Sequence, residues 1–224
     1  MKKYFKSFVI IIFMIFSFYY TEKIAVIAQN NTPLKKEIVT FKEDNIISSI
    51  NAKIDGNEIT PGLNGLVVNV EKSYNNMKSQ NVFNLNSLVY DEVKPIISIN
   101  DYPEKIITQG NIQRKAVSII INFTNKSIDY LKNNNIKYTY FNNPNYCIIL
   151  SESDCLSYKR RVKPTYLFNN TNFIKHISNV KNGSIIYLDD NLDEMFIDIL
   201  VKHIKFYNLK VLPLEEHLSE NNSI

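Results

Sequence analysis

The sequence feature that most constrains the fold is a nearly continuous β-branched run at residues 117–121. Such a run is typical of a strand buried on both faces of a parallel sheet, because both rows of its side chains must then be apolar. Residues 127–135 follow with the pattern of a short helix, and residues 138–141 with that of another strand. A strand, a crossover helix and a strand form a βαβ unit, whose strands end at the same edge of the sheet. The sequence therefore predicts an α/β fold here.

The same pattern recurs near the end of the chain. Residues 183–188 read as a strand, residues 192–207 as an amphipathic helix, and residues 209–212 as a closing strand. Within the first of these segments, Ile185 and Leu188 are expected to point into the core and to pack against the helix. The C-terminal half as a whole is predicted to be α/β.

The first residues carry a targeting signal. Lys2, Lys3 and Lys6 precede an uncharged apolar run at residues 8–20, and this order predicts export of the rest of the chain with the positive end kept inside. The run is shorter than the roughly 20 residues that a spanning helix needs, so a signal peptide and a membrane anchor both stay open. We expect a protein on the extracytoplasmic side of the cell membrane, anchored by residues 1–28, or a secreted one.

Between these parts the chain divides by composition. Residues 29–37 are polar, contain Pro33 and are predicted to be a linker. Residues 38–110 hold short apolar stretches separated by turn signals such as Asp55-Gly56, which predicts a small strand-rich domain. A helix is expected at residues 73–79, with a core stripe at Tyr74 and Met77 and with Ser73 as its cap. Residues 111–220 form the α/β domain.

Composition excludes some partners. The chain of 224 residues is 45% hydrophobic and 21% charged, as in a globular protein. Its net charge of +4 comes from 26 basic and 22 acidic residues spread along its length, without the basic block that neutralises phosphates, so nucleic acid is not an expected partner. Cys147 and Cys155 are the only cysteines. An oxidising medium allows them to pair, and two free thiols are the alternative.

Residues able to carry chemistry are few. The three histidines are far apart in sequence, and His203 and His217 are expected at the surface or at helix ends. The acidic pair Asp189-Asp190 follows a predicted strand, and ligands of α/β sheets bind beyond the carboxyl ends of strands. A helix cap is the favoured alternative, because Asp190 lies just before the helix expected from residue 192.

The order of these segments resembles that of the polysaccharide deacetylase (NodB-homology) family, in a divergent Gram-positive form with an N-terminal anchor and a small extra domain. Lys-Tyr-Thr-Tyr-Phe at residues 137–141 is similar to the family's K-A-T-F-F strand, and Gly-Ser-Ile-Ile-Tyr-Leu-Asp-Asp at 183–190 to its G-S-I-I-L-L-H-D strand. The other matching segments are residues 59–65, 74–78, 94–95, 117–123 and 209–218. The resemblance implies a partial (β/α)-barrel-like deacetylase fold with a reduced number of strands, preceded by a small β-rich α+β domain and an N-terminal apolar helix.

The departures from the family motifs bear on function. The family's T-F-D-D-G motif supplies a metal ligand and a catalytic base, but the matching strand end here reads Ile-Asn-Phe-Thr-Asn at 121–125. The family's histidine metal motif has no counterpart, its late-strand histidine is replaced by Asp189, and Asn-Tyr-Cys at 145–147 is what remains of its arginine-proline motif. The resemblance therefore implies a chain that has lost the family metal, usually zinc. Its candidate pocket residues are Asn122, Tyr146, Asp189 and Asp190, with no cofactor.

Three functions follow from this resemblance. The favoured one is a non-catalytic deacetylase homologue that binds cell-wall or extracellular polysaccharide. The second is an active carbohydrate N-deacetylase with non-standard residues around Asp189, Asp190 and His176. The third is a structural protein of the membrane surface that binds no glycan.

Overall fold

The computed structural model describes residues 2–30, 32–150 and 160–222 and, in the first helix, the side chains of residues 10–24. The helices are α1 (Lys2–Asn30), α2 (Pro33–Asp44), α3 (Val70–Met77), α4 (Ile128–Asn133), α5 (Phe173–His176), α6 (Glu194–Phe206) and α7 (Leu214–Leu218). The strands are β1 (Lys53–Asp55), β2 (Glu58–Thr60), β3 (Gly65–Val68), β4 (Tyr90–Val93), β5 (Ile106–Ile107), β6 (Ala116–Ile121), β7 (Thr139–Tyr140), β8 (Tyr146–Ile148), β9 (Arg160–Val162), β10 (Tyr166–Phe168), β11 (Ile185–Leu188) and β12 (Lys210–Val211).

The chain divides into two compact units that are discontinuous in sequence. The first comprises the residues up to Ile47 together with Leu66–Asp91, and the second comprises Ser48–Gly65 together with the residues from Glu92 onward. Each unit has its own apolar core.

Helix α2 of the first unit begins inside the segment that the sequence predicts as a linker. Thr32 caps it, since its hydroxyl accepts a hydrogen bond from the Lys35 backbone N–H at 3.3 Å, and Pro33 occupies a first-turn position that needs no donor. Leu34 and Ile38, one turn apart, are buried in the core of this unit. A good cap and an apolar i, i+4 pair thus make a helix where composition suggests a linker.

Helix α3 carries the predicted core stripe but not the predicted cap. Tyr74 and Met77 are buried as expected. Ser73 does not cap the helix, because the helix begins three residues earlier, where the Asn69 side chain accepts from the Lys72 backbone N–H at 2.9 Å. Ser73 is instead a fully buried residue of the helix interior.

Helix α1 exposes apolar side chains along its described stretch. Phe13 is 72% exposed and Phe18 is 76% exposed. Within the described residues, none of the helices combines the length and hydropathy that crossing a membrane demands. The targeting role of this segment stays a prediction.

The second unit is built around a parallel sheet in which β6 is the central strand. All six residues of β6 are buried. Strand β11 pairs with one side of it, while β12 and β7 share the other side, β12 at the beginning of β6 and β7 at its end. Strand β10 extends the sheet beyond β11, and all of these pairings are parallel. The sequence prediction of a parallel α/β sheet at residues 117–121, 138–141, 183–188 and 209–212 is confirmed.

Side chains of β11 alternate between two cores, which corrects one expectation. Leu188 packs in the cluster that contains helix α6, as predicted, and Ile186 joins it there. Ile185 lies in the opposite cluster together with Ile120. Successive residues of a strand face opposite sides, so positions 185 and 188 could not share a partner.

A second sheet, in the order β1-β2-β5-β9-β8, contributes to this opposite cluster. Strands β1 and β2 form an antiparallel hairpin whose turn contains Gly56, with φ of +54°, in the left-handed region that favours glycine. The predicted Asp55-Gly56 turn is therefore confirmed. The remaining pairs of this sheet are parallel.

Candidate functional site

Polar side chains converge at the carboxyl edge of the parallel sheet, where ligands of such sheets bind. Asn122 and Thr124 follow β6, and Asp190 follows β11. The Thr124 hydroxyl donates to Asp190 Oδ2 at 2.8 Å, and Asn122 Nδ2 lies 3.4 Å both from the same oxygen and from the Tyr187 hydroxyl. Asp190 Oδ1 is buried and has no hydrogen-bond partner among the described residues. We call Asn122, Thr124, Tyr187 and Asp190 the edge site.

The acidic pair does not cap the following helix, contrary to the favoured sequence interpretation. Helix α6 begins at Glu194, so the capping position is Asp193, three residues after Asp190. Asp189 Oδ1 accepts from the Asn191 backbone N–H at 3.0 Å and stabilises the turn between strand and helix. Asp190 alone therefore faces the residues that follow β6.

Asn125 fixes the geometry of this edge. It is buried, and its side-chain amide donates to the carbonyl oxygens of Leu188 and Asp189 at 3.0 and 3.1 Å. Its Oδ1 accepts from the Ser127 backbone N–H at 2.8 Å. One side chain thus ties the segment after β6 to the end of β11. Nothing in the sequence pattern separates this asparagine from the many others in the chain.

The edge site adjoins aromatic rings. Burial, followed by the charges of Asp190 and Asp189, raises the pKa of the Tyr187 phenol, so its hydroxyl stays protonated at neutral pH. Phe123 stacks on Tyr140 with 4.1 Å between ring centroids and remains 60% exposed. The edge therefore offers one carboxylate, an amide, two hydroxyls and an accessible ring.

Tyr146, a predicted pocket residue, lies elsewhere. It lines a cavity of about 420 Å³ together with Glu215 and Glu220. Burial and then the Glu215 charge raise the pKa of its phenol, with Arg160 acting in the opposite sense. The structure brings Asn122 and Asp190 together, turns Asp189 toward its own loop, and assigns Tyr146 to a separate cavity.

His217 is a buried residue that the sequence interpretation missed. It lies in the last turn of α7, at a helix end as expected, but it is 0% exposed and not at the surface. The Ser118 hydroxyl donates to the Leu212 carbonyl at 2.9 Å, so it accepts from Nδ1 of His217 at 2.8 Å, and Nε2 is left buried without a partner in the described chain. Burial, and secondarily the Arg114 charge, lowers the pKa of His217 to about 4. The apolar residues Leu214 and Leu218 around it were the available signal, since they bury the face on which it lies.

The residues at the edge do not fit a catalytic metal. Over the described residues no group of three His, Cys, Asp or Glu side chains is arranged to hold one. Zinc takes nitrogen, sulfur and carboxylate ligands, and the edge supplies one carboxylate beside an amide and hydroxyls. His176 packs against Tyr166, at the start of β10, with 6.4 Å between the rings, and no hydrogen bond or ring contact joins it to the acidic pair.

Cys147 is disulfide-bonded. Cys155, the other cysteine of the sequence, lies in residues 151–159, outside the described residues.

Comparison with known proteins gives the fold a family context. No family model matches the chain. The uncharacterized protein YlxY of Bacillus subtilis is 30% identical over 122 residues, which are 51% of this chain and 38% of that protein. The chain thus matches less than two fifths of the length of this relative.

Solved structures match over more of the chain. The wild-type protein BA3943 of Bacillus anthracis, a CE4 family pseudoenzyme, superposes with a TM-score of 0.56 at 19% identity, covering 84% of this chain and 96% of that one. A BA3943 mutant with restored enzymatic activity superposes with a TM-score of 0.55 at 18% identity over 84% and 99%. This chain has the polysaccharide deacetylase fold. The fold class inferred from the sequence, a divergent α/β deacetylase-like structure, is confirmed.

In the polysaccharide deacetylase fold of this chain, the strand end that resembles the family's two-aspartate motif carries Asn122 and Thr124. Both side chains contact Asp190, the carboxylate after β11 that faces them. An amide and a hydroxyl have no basicity at neutral pH, so neither accepts a proton from water as a general base must.

Proposed function

We propose that this protein is a non-catalytic polysaccharide deacetylase-like protein that binds cell-envelope glycans. The observation that carries the proposal is the edge site, where Asn122 and Thr124 hydrogen-bond to Asp190. Deacetylation needs an activated water and a base to deprotonate it. The single carboxylate of this set, Asp190, already accepts hydrogen bonds from Thr124 and Asn122, and no further His, Cys, Asp or Glu of the described residues joins it to form a group of three that could hold a metal. The fold that it shares with the pseudoenzyme BA3943 supports the same conclusion.

The chemistry of the edge site suits sugar hydroxyl groups. The Asp190 carboxylate accepts hydrogen bonds, the Asn122 amide donates and accepts, and the Thr124 and Tyr187 hydroxyls do both. The exposed face of Phe123 adds the apolar surface on which a pyranose ring packs. The site thus offers complementary groups to a neutral, hydroxyl-rich polymer.

The proposed location is the outer surface of the cell membrane. Its support is the order of Lys2, Lys3, Lys6 and the apolar residues 8–20, together with the exposed apolar side chains of α1. A fluorescent or epitope fusion at the C-terminus, tested for protease access in intact cells, distinguishes an outer location from an inner one.

Binding is tested by isothermal titration of the purified protein with N-acetylglucosamine oligomers and by retention on insoluble peptidoglycan. We expect binding without acetate release, and about tenfold weaker binding for Asp190→Asn, since a hydrogen bond to a charged group is lost. Glu194→Gln, another acidic residue near this strand end but outside the edge site, is the matched control. Acetate release by the wild-type protein, or stoichiometric zinc in it, contradicts the proposal.

Restoring one carboxylate is not expected to restore activity. Asn122→Asp puts back one possible ligand or base, but groups of a catalytic unit act together and their effects are strongly non-additive. A BA3943 mutant has restored enzymatic activity, so enzymatic activity is a meaningful readout for variants of this chain. Measurable acetate release from a chitin oligomer by Asn122→Asp alone would show that the rest of the unit is intact.

A further inference from the structure

The cavity that contains Tyr146 lies within the second unit and is separate from the edge site. Its volume of about 420 Å³ falls in the range of small-molecule sites. Its wall comes from Asn64, the segment before β5, the first residue of β8, helix α7 and the residues after α7. These segments are far apart in sequence, so the cavity depends on the tertiary fold.

Most polar groups of the wall already have partners. Glu220, 6% exposed, accepts from the backbone N–H groups of Gly62 and Ile99 at 2.9 and 3.1 Å and from the Ser98 hydroxyl. Asp101 accepts from the Ser98 backbone N–H at 3.1 Å. These bonds hold the wall in one shape, which lowers the entropic cost of binding a ligand there.

Three wall groups have no hydrogen bond or ion pair among the described residues. They are the Tyr146 hydroxyl, the Glu215 carboxylate and the Lys94 ammonium. Glu215 lies near enough to Tyr146 for its charge to help keep the phenol protonated, so the hydroxyl is a donor. An acceptor, a cationic donor and an aromatic hydroxyl thus belong to residues that line the same cavity, with Lys94 and Glu215 exposed at its mouth and Tyr146 half-buried.

The charges around the cavity select against anions. Lys94 and the nearby Arg160, which donates to the Asn100 side chain at 3.1 Å, stand against the carboxylates of Asp101, Glu215 and Glu220. Three negative groups against two positive ones leave a slight negative balance, so an uncharged ligand avoids both repulsion and the desolvation of a net charge.

We infer that this cavity is a second glycan subsite, which binds an uncharged, hydroxyl-rich sugar unit through Tyr146, Glu215 and Lys94. This inference rests on the proposed function, because it takes the ligand to be a glycan. It adds a site remote in sequence from the edge site and a preference for neutral over acidic sugars.

The experiment compares the full-length protein with Tyr146→Phe, which removes only a hydroxyl, and with Glu215→Gln, which removes only a charge. The probes are the tetramer of N-acetylglucosamine and the tetramer of galacturonate, titrated by calorimetry. Glu216→Gln is the control, since Glu216 is the adjacent residue of α7 and does not line the cavity. We expect each cavity variant to bind the neutral tetramer about tenfold more weakly and the control to bind it within twofold of wild type. The acidic tetramer is expected to bind wild type more weakly than the neutral tetramer does.

The outcomes separate the two proposals. Unchanged binding in both cavity variants overturns the subsite, and the proposed function then still stands if Asp190→Asn weakens binding. Equal affinity for the neutral and the acidic tetramer also overturns it. Wild-type protein that binds neither tetramer overturns the subsite and the proposed glycan binding together.

Discussion

The two faces of the parallel sheet in the second unit are closed in different ways. One face packs against helices α4, α5 and α6, and its buried cluster is apolar and includes Phe168, Phe173 and Leu188. The other face carries Ile120 and Ile185, but the residues buried around it include paired polar groups. The first face needs only apolar residues at the right spacing, whereas the second needs particular partners at particular places. The spacing of apolar residues can be read from a sequence, whereas the hydrogen-bond partner of a buried polar residue cannot.

The largest expected effect tests whether hydrocarbon packing stabilises β11 on both faces of the sheet. Ile186→Ala removes methyl groups from the helix face and Ile185→Ala from the opposite face, and each is expected to lower the free energy of unfolding by about 2–5 kcal/mol, because both side chains are fully buried. Urea denaturation followed by circular dichroism measures both. A cost below about 1 kcal/mol for Ile185 alone would mean that the polar partners, and not hydrocarbon packing, hold that face.

The second prediction concerns pH and His217. Its pKa lies below the ordinary value of 6.5, so the unfolded chain takes up a proton at a higher pH than the folded one. The stabilisation by neutral His217 is therefore complete above about pH 6.5, is lost as pH falls toward 4, and amounts to about 3 kcal/mol over that window.

The measurement is the free energy of unfolding at pH 7 and at pH 4.5. His217→Gln is expected to lose this part of the pH dependence, while the same change at His203, which contacts the Val180 carbonyl, retains it. An identical pH dependence of the free energy of unfolding in wild type and His217→Gln would show that burial of neutral His217 does not contribute to the stability of the polar face.

Much of the helix face could be predicted from sequence, and little of the polar face could. The β-branched run in β6 and the amphipathic pattern of α6 predict two elements of the apolar cluster, because burial there repeats with the period of a strand or helix. The burial of His217 was misjudged because its acidic neighbours Glu215 and Glu216 suggest a surface position. Leu214 and Leu218 indicate that α7 has a buried face, but in a helix of five residues they do not separate His217 from the exposed acids beside it.

The edge site was half predictable for a related reason. Parallel topology brings Asn122 and Asp190 to the same edge, and the sequence indicates that topology. It does not indicate that α6 begins at Glu194 and leaves Asp190 free of a capping role, since helix starts depend on local turns such as that of Asp189. Tyr146 was grouped with these residues only through the family resemblance.

The third prediction tests a polar partner directly. Glu220→Gln exchanges a buried carboxylate that accepts three hydrogen bonds for an amide, which leaves at least one donor poorly matched. We expect a loss of about 2 kcal/mol in the free energy of unfolding. Glu216→Gln, at an exposed position of the preceding helix, should cost less than about 0.5 kcal/mol. Equal losses in the free energy of unfolding for Glu220→Gln and Glu216→Gln would show that the buried hydrogen bonds of Glu220 do not stabilise this face.

The smallest expected effect lies at the edge site. Asp190→Asn keeps the shape of the side chain and weakens its hydrogen bond from the exposed Thr124 hydroxyl, so we expect a cost of about 0.5–1 kcal/mol. Thermal melting monitored by circular dichroism is sensitive enough to detect it. A cost near that of Ile186→Ala would mean that Asp190 is a structural residue of the sheet and weaken its assignment as a binding group.

The contact between Gly110 and His217 has a consequence for evolution. A Cβ atom at position 110 would overlap the imidazole ring, which is itself held by Ser118 and cannot turn away. Any larger residue at position 110 therefore requires a smaller one at position 217. We expect the two positions to covary among homologues, with glycine retained at position 110 wherever histidine is retained at position 217. The pair therefore identifies the homologues that have kept this buried histidine.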